Sequence, residues 1–448
     1  MTRLVMKFGG SILKSGPRIR KMLDIIRSEI AQNPVVVVSA FYKVTDRLIE
    51  VATLAKDKLQ WKDKLRDIWQ YEDTLIKELK VEPSVLSNLR ADVEKLLKEV
   101  EKSRELSAMM MDSIISYGEM ASTVVLADYF VKQDVKASKL FGWEAGIETD
   151  DHFGNAVVNK HSFGIIRDKI GDKKGVTVVS GFIAKSSNGL VTTLGRNGSD
   201  LTATIVAAAI NAPEVQIWKD VDGVMTCDPN LISETRSVRE MSYGEAQELS
   251  TFGAQVLHPR TIEPVRKHNV PIRVRNFEDI SQSGTIIRDT KSDVTRVAAL
   301  ACKHKITMVH IRSPEMVMVH GFLAKVFGIF DMAGISIDLV STSEVSITVT
   351  LDNTDNLNKA VDELKHFCDV VVQKDMAVIA VVGENIRDNS VILGQTLQRL
   401  SEENIRIAMV SWGASALNLS IVVCNKDVTQ ALKLLHEIHF ECGGRPCK

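Results

Sequence analysis

The sequence predicts an α/β protein, with a mainly parallel sheet between two helical layers followed by two small α/β modules. Three observations carry that prediction. Short β-branched runs alternate with helical stretches over the first part of the 448-residue chain, which implies parallel strands covered on both faces. A Leu-, Lys- and Glu-rich stretch over 57–112 repeats apolar residues at i, i+3, i+4, the spacing of amphipathic helices laid over such a sheet. One pattern then occurs twice near the C-terminus, about 70 residues apart, the size of a βαββαβ unit.

In chain order, LVMKFGGS (4–11) reads as a strand running into two glycines. VVVVSA (35–40) is a buried strand followed by a helical pattern from Thr45. GVTVVSGFIA (175–184), VQIWKD (215–220) and PIRVRN (271–276) are further strands. GTIIRDTKSDVTR (284–296) is polar and charged, and a domain boundary near 289–293 fits it. The domain assignment is then 1–290 with a helical insert at 57–112, a linker at 291–303, and modules at 304–375 and 376–448. Within the repeat, Ile335-Ser336-Ile337 aligns with Ile405-Arg406-Ile407, and a helix at 357–364 aligns with one at 428–435.

Composition narrows the function. Hydrophobic residues at 45% and charged residues at 25% describe an ordinary soluble chain. A net charge of −1 argues against a nucleic-acid binder. No apolar run approaches the roughly 18 residues of a membrane span, and no secretory signal is evident. Six cysteines (227, 302, 368, 424, 442 and 447) form no CxxC pair, so reduced thiols in a cytoplasmic protein are expected.

Two glycine-rich turns suggest phosphate chemistry. In Lys7-Phe8-Gly9-Gly10-Ser11, glycine lets backbone amides approach a ligand and Lys7 adds a full positive charge. The segment matches neither common nucleotide fingerprint, and Gly-Gly by itself is also a plain tight turn. In Gly195-Arg196-Asn197-Gly198-Ser199-Asp200, Ser199 or Asp200 is a candidate helix cap, which leaves Arg196 and the glycines unexplained. Arginine suits bidentate capture of a carboxylate or phosphate. Ser116-Tyr117-Gly118-Glu119 places an acid at a Gly-containing turn, suited either to a substrate ammonium or to a solvated helix start. WKDVDGVMTCDPN (218–230) is a strand followed by an acidic, turn-rich loop.

Taken in order, KFGGS, VVVSA…VT, SYGE, TTLGRNGSD, WKDVDGVMTCDP and TFGAQVLHP (251–259) resemble the motifs of aspartate kinases of the amino-acid-kinase family. The segment 321–352 resembles their regulatory ACT domain, so the likeness covers essentially the whole chain, which resembles the monofunctional, lysine-sensitive type. It implies the amino-acid-kinase fold, an αβα sandwich on a mainly parallel sheet, plus two ferredoxin-like ACT domains, with a strand near 306–311 pairing with the second. The implied reaction joins ATP and L-aspartate to give 4-phospho-L-aspartate and ADP, the first step toward lysine, threonine and methionine, with Mg²⁺ bound alongside the nucleotide.

Residue by residue, the resemblance implies Lys7 and Asp200 as catalytic, and Ser39, Thr45, Glu119, Arg196, Asn197, Gly198 and Ser199 around aspartate. ATP would meet Lys7, Gly9, Gly10, Ser11, Lys219, Asp220, Met225, Asn230, Gln255 and Val256. Asn230 and Gln255 stand where known members carry an arginine and a lysine, and Tyr42-Lys43-Val44-Thr45 stands in place of AGVT. An amino-acid effector, L-lysine by the resemblance, would bind Met316, Gly321, Phe322, Leu323, Ser336, Ile337, Asp338, Thr342, Ser343 and Glu344. Two chains would pair through their ACT domains as a homodimer, or further as a tetramer. The alternatives are an amino-acid sensor that keeps the ACT pair with weak catalysis, and another amino-acid-kinase member such as an acetylglutamate, glutamate or UMP kinase. His436 and His439 lack the partners of a metal site, Trp61 and Trp69 read as packing, and His258-Pro259 reads as a turn.

Overall fold

The computed structural model describes residues 2–253, 257–290, 295–317 and 320–441. They fall into two units: residues 1–224, 239–243 and 256–289, and residues 225–238, 244–255 and 290–448.

In the first unit, an eight-stranded sheet runs Ala137–Leu140, Val176–Ser180, Val35–Val38, Val5–Phe8, Val215–Lys219, Ile272–Asn276, Thr285–Arg288, Glu240–Ser242. The first six strands are parallel, and Thr285–Arg288 pairs antiparallel to Ile272–Asn276. Strand periodicity sorts the side chains onto two faces. Leu4, Met6, Phe8, Val36 and Val38 join a core with residues of the helices Gly16–Ser28, Val44–Lys56 and Tyr117–Lys132. The opposite set, which includes Val5 and Lys7, faces the side covered by the helix Gly198–Ala209. Lys7 therefore lies one residue from the end of a core strand yet points toward the start of that helix. The stretch 57–112 folds into Trp61–Leu79, Ser87–Ser103 and Ala108–Ile115, whose apolar faces enter the first core.

A buried arginine ties the N-terminal end of this sheet. Arg3, 1% exposed, donates to the carbonyls of Asn33, Ile170 and Gly175 and to Thr177 Oγ1. Burial lowers its pKa to about 10.

The second unit carries both repeats on one six-stranded sheet, ordered Val340–Thr342, Ser346–Leu351, Arg296–Arg312, Asp369–Glu384, Asn418–Cys424, Ile407–Trp412. Two long antiparallel strands, Arg296–Arg312 and Asp369–Glu384, run through both modules. The first module uses 307–312 and 369–373 with the helices Phe322–Met332 and Leu357–Leu364. The second pairs 296–303 with 378–384, beside the helices Ser390–Glu402 and Val428–His436.

This corrects two expectations. Residues 296–303, read as linker, are strand, and they rather than 306–311 complete the second module. The first module is thus inserted in the second, between one of its edge strands and the rest. The ladder partner of 296–303 lies some eighty residues further along the chain, so local pattern cannot report it. Among the described residues, no helix is long and apolar enough to cross a membrane.

Candidate active site

The parallel strands end in register: Phe8 lies opposite Val38 and Trp218, and Val38 lies opposite Ser180. Their following loops therefore emerge together at the C-terminal edge of the sheet, where open α/β sheets bind ligands. After Phe8, neither Gly9 nor Gly10 has a positive φ, so close approach accounts for them. A Cβ on Gly9 would stand 3.3 Å from Lys7 Nζ, and one on Gly10 3.1 Å from the Ala40 carbonyl. A single 3₁₀ turn, Ile12–Lys14, precedes the longer helix Gly16–Ser28.

The GRNGSD segment is tighter than its sequence suggests. Asn197 takes a left-handed φ of 54°, and the helix starts at Gly198, so Ser199 and Asp200 lie inside its first turn. Neither is the cap, because the N-cap position belongs to Asn197. Ser199 packs on Gly181, where a Cβ would stand 2.6 Å from the serine Cβ. Asp200 is 3% exposed, with Oδ1 2.5 Å from Lys7 Nζ and Oδ2 3.8 Å from Lys219 Nζ. Burial opposes its ionisation, but the two ammonium groups outweigh burial and hold the carboxyl below the ordinary range. Arg196 and Asn197 are exposed beside this pair-rich floor.

SYGE is helical rather than a turn, since the helix Tyr117–Lys132 begins at its tyrosine. Gly118 is required by contact: a Cβ would come within 2.8 Å of the Ala40 Cβ and 3.6 Å of Thr45 Oγ1. Glu119 is buried, and its Oε2 has no hydrogen-bond partner among the described residues. Burial pushes its carboxyl up to about 8, against the opposing pull of the Ala40 amide and Lys7. Ser122 Oγ donates to the Ser39 carbonyl at 2.8 Å, locking the loop after Val38 to the same helix. Lys7, Ser39, Thr45, Glu119, Ser199, Asp200 and Lys219 thus converge at one sheet edge.

Sequence reasoning missed the support beneath them. Glu72, from the insert, is fully buried and accepts from Tyr117 Oη at 2.6 Å and from Arg90 at 3.2 Å. Arg90 lies 5.0 Å over the Trp69 ring, and Trp69 meets Tyr117 edge-on, so this tryptophan does more than fill space. Asp112 likewise anchors Thr193 and Gly154 beneath the GRNGSD segment.

Of the expected nucleotide contacts, Lys219 and Asp220 belong to the first unit. Burial pulls the Lys219 ammonium below its ordinary range. Asp220 pairs with Arg18, which also pairs with Glu278 and stacks 4.7 Å from the Phe277 ring centre. Met225 and Asn230 belong to the second unit. There Met225 bridges Ser237, while Asn230 donates from its amide and side chain to Asp228 Oδ1 as part of a turn. Gln255 and Val256 lie outside the described residues.

The histidines also resolve. His258 caps the helix Pro259–His268, with Nδ1 accepting from the Arg260 amide at 3.2 Å. His436, fully buried, bridges Thr226 Oγ1 (2.9 Å) and Glu441 (3.0 Å), so it does have a carboxylate partner. His439 contacts Thr396. No group of three potential metal ligands occurs among the described residues.

The expected effector residues lie on the first repeat module. Gly321, with φ 82°, opens the helix Phe322–Met332; Phe322 is buried and Leu323 is 40% exposed. Met316 and Ile337 pack against that module's core. Thr342 ends an exposed strand, Ser343 Oγ meets Ser346 Oγ in the following turn, and Glu344 is exposed. Ser336 is exposed, and the Asp338 amide donates to the Thr350 carbonyl at 2.9 Å.

Comparison with known proteins agrees with this architecture. Residues 2–276 match the amino acid kinase family model, and 309–366 and 379–438 match an ACT domain model. The chain is 36% identical to aspartokinase 1, chloroplastic, of Arabidopsis thaliana, over 98% of this chain and 80% of that protein. It is 31% identical to the lysine-sensitive aspartokinase 3 of Escherichia coli, over 98% and 99% respectively. The crystal structure of E. coli aspartokinase III with aspartate and ADP superposes with a TM-score of 0.83 at 30% identity, covering 98% of this chain and all of that one. The same enzyme with lysine and aspartate gives 0.81 at 30% identity, with the same coverage. A strand-end lysine locked to a buried aspartate, an acid in the SYGE helix and a paired ACT sheet, all on one chain with these relatives, place it in the amino acid kinase family, among the aspartokinases.

Proposed function

We propose that the chain transfers the γ-phosphoryl group of ATP to the side-chain carboxylate of L-aspartate, giving 4-phospho-L-aspartate and ADP. The observation that carries this reading is the buried Lys7–Asp200–Lys219 cluster beside a buried carboxyl, Glu119, with an unsatisfied oxygen. Two cations around one anion leave net positive charge for a phosphate chain. Glu119 offers a carboxylate to a substrate ammonium, which would supply the partner its Oε2 lacks.

In this reading, a carboxylate oxygen of aspartate attacks the γ-phosphorus, and the bond to the bridging β–γ oxygen breaks as ADP leaves. The attacking carboxylate is already ionised near pH 7, so no proton must be removed. Lys7 neutralises charge on the transferring group, and Asp200 fixes that ammonium in place before reaction. Arg196 takes a substrate carboxylate, while Ser39, Thr45, Asn197, Gly198 and Ser199 border the amino acid. Gly9, Gly10 and Ser11 bring backbone to the phosphates; Met225, Asn230, Gln255 and Val256 are assigned to the nucleotide by the sequence resemblance alone. Mg²⁺ would enter as an ion carried by the nucleotide, where it would neutralise phosphate charge.

The lysine-sensitive relative and its lysine complex support L-lysine as the effector; its site on the first ACT domain, at Met316 to Glu344, is implied by the sequence resemblance. The proposal extends to a cytoplasmic homodimer joined through ACT domains. Incubation with Mg-ATP and aspartate, trapping acyl phosphate with hydroxylamine, tests the reaction. Hydroxamate above a Lys7→Ala control is expected; its absence would favour the weakly catalytic sensor.

A further inference from the structure

Asp338, an acid among the expected effector contacts and so suited to an ammonium of the amino acid, already holds one. Lys303 Nζ lies 3.1 and 3.2 Å from the two oxygens of Asp338 and 2.8 Å from Asp352 Oδ2. The pair is sheltered, with side chains 22% and 20% exposed. Lys303 does not belong to the same module as its partners. It sits on the stretch of Arg296–Arg312 that pairs with the second module, opposite Val378, next to the irregularity where the strand crosses into the first. Asp338 and Asp352 both belong to the first module, and Lys305, two residues on, has a left-handed φ of 55°.

We propose that Lys303 is a built-in competitor for the amino-acid effector, and that effector binding proceeds by partner exchange at Asp338. This rests on the reading of Asp338 as an effector contact. Both competitors are primary ammonium groups, so each satisfies the carboxylate in the same way. A tethered side chain competes at high effective concentration, and an incoming ammonium meets a carboxylate that is already neutralised. Asp352 makes the exchange feasible: when Lys303 leaves Asp338, it keeps a carboxylate partner instead of being released to water. The exchange also severs a link between the two modules at their crossing point, which gives effector binding a consequence beyond its own pocket.

The test measures L-lysine binding by calorimetry and half-inhibitory concentration on the full-length protein for four variants. Lys303→Gln should lower both values about five-fold, the scale of a partly exposed ion pair. Lys303→Arg, which keeps the cation, should stay near wild type. Asp352→Asn should raise both values, because Lys303 loses its alternative anchor. Asp338→Asn should raise them at least ten-fold. Unchanged values in Lys303→Gln, with Asp338→Asn still desensitised, would overturn the exchange and leave the effector site standing. Unchanged values in Asp338→Asn would overturn the effector site itself, and the exchange with it. A wild type unresponsive to lysine beside a responsive Lys303→Gln would support a competitor that dominates.

Discussion

Lys7 Nζ stands 2.5 Å from Asp200 Oδ1 with both side chains almost fully buried, so a strand end and a helix start share one ion pair. Asp200 is thereby a positioning residue for Lys7. Replacing it by Asn should lower kcat about a hundred-fold, and Lys7→Met by about a thousand-fold, the range seen for lost transition-state donors. Steady-state kinetics with coupled ADP detection would measure both. A kcat within a factor of three of wild type for Lys7→Met would remove this lysine from the reaction.

Glu119 gives a pH dependence of defined sign. Its carboxyl is raised to about 8, so below that pH the free site holds a proton that an arriving ammonium must expel. Aspartate binding should weaken as pH falls from 8 to 6, with log kcat/KM dropping by up to about one per unit. Above pH 8 the dependence should level off. Glu119→Gln should bind aspartate weakly and lose this slope, which pH-resolved kcat/KM would reveal.

The Glu72 network should show in stability. Glu72→Ala leaves the Tyr117 hydroxyl without its carboxylate acceptor and Arg90 without one of its two, a loss of about 3 kcal/mol for a broken buried charge pair. Urea unfolding would read that loss. Because Tyr117 begins the helix carrying Glu119, the aspartate KM should rise in the same variant while the ATP KM holds.

Gly181→Ala would press a methyl group into Ser199. Ser199 must shift with the turn that carries Arg196, and on the order of a ten-fold rise in the aspartate KM is expected. Gly164→Ala, where nothing lies within 4 Å of the added carbon, is the control.

His436 ties the C-terminal helix to Thr226, one residue from Met225. His436→Ala should cost about 1–3 kcal/mol through unsatisfied buried groups, which urea unfolding would read. His436→Gln, which retains a donor and an acceptor, should recover part of that loss. Unchanged stability in the Ala variant would remove this contact from the support of the second unit.

Much of this was legible in the chain. The lysine before Gly-Gly, the glutamate of SYGE and the GRNGSD aspartate were each weak alone, yet the fold brings all three to one edge. Their spacing reflects strand–loop–helix units, which periodicity reports well. What escaped depends on contacts distant in sequence. Glu72 is an ordinary helical acid until Tyr117 closes on it from 45 residues away. Arg296–Lys303 has three alanines and one β-branched residue, too weak a pattern to announce a strand, and its ladder partner is Asp369–Glu384. Asp338 could be read as a ligand contact, but nothing near it in sequence showed Lys303 in its way.

The two shared strands set the terms on which the regulatory half could be taken apart. A single cut between the modules leaves the first intact but cannot yield the second, because the second borrows its outer strand from ahead of the first. Internal excision can. Ile306 and Met376 face each other across the ladder, so chain deleted between them could be replaced by a two-residue hairpin. The product would keep the second module's four strands and both its helices, a natural starting point for exchanging one sensor domain for another.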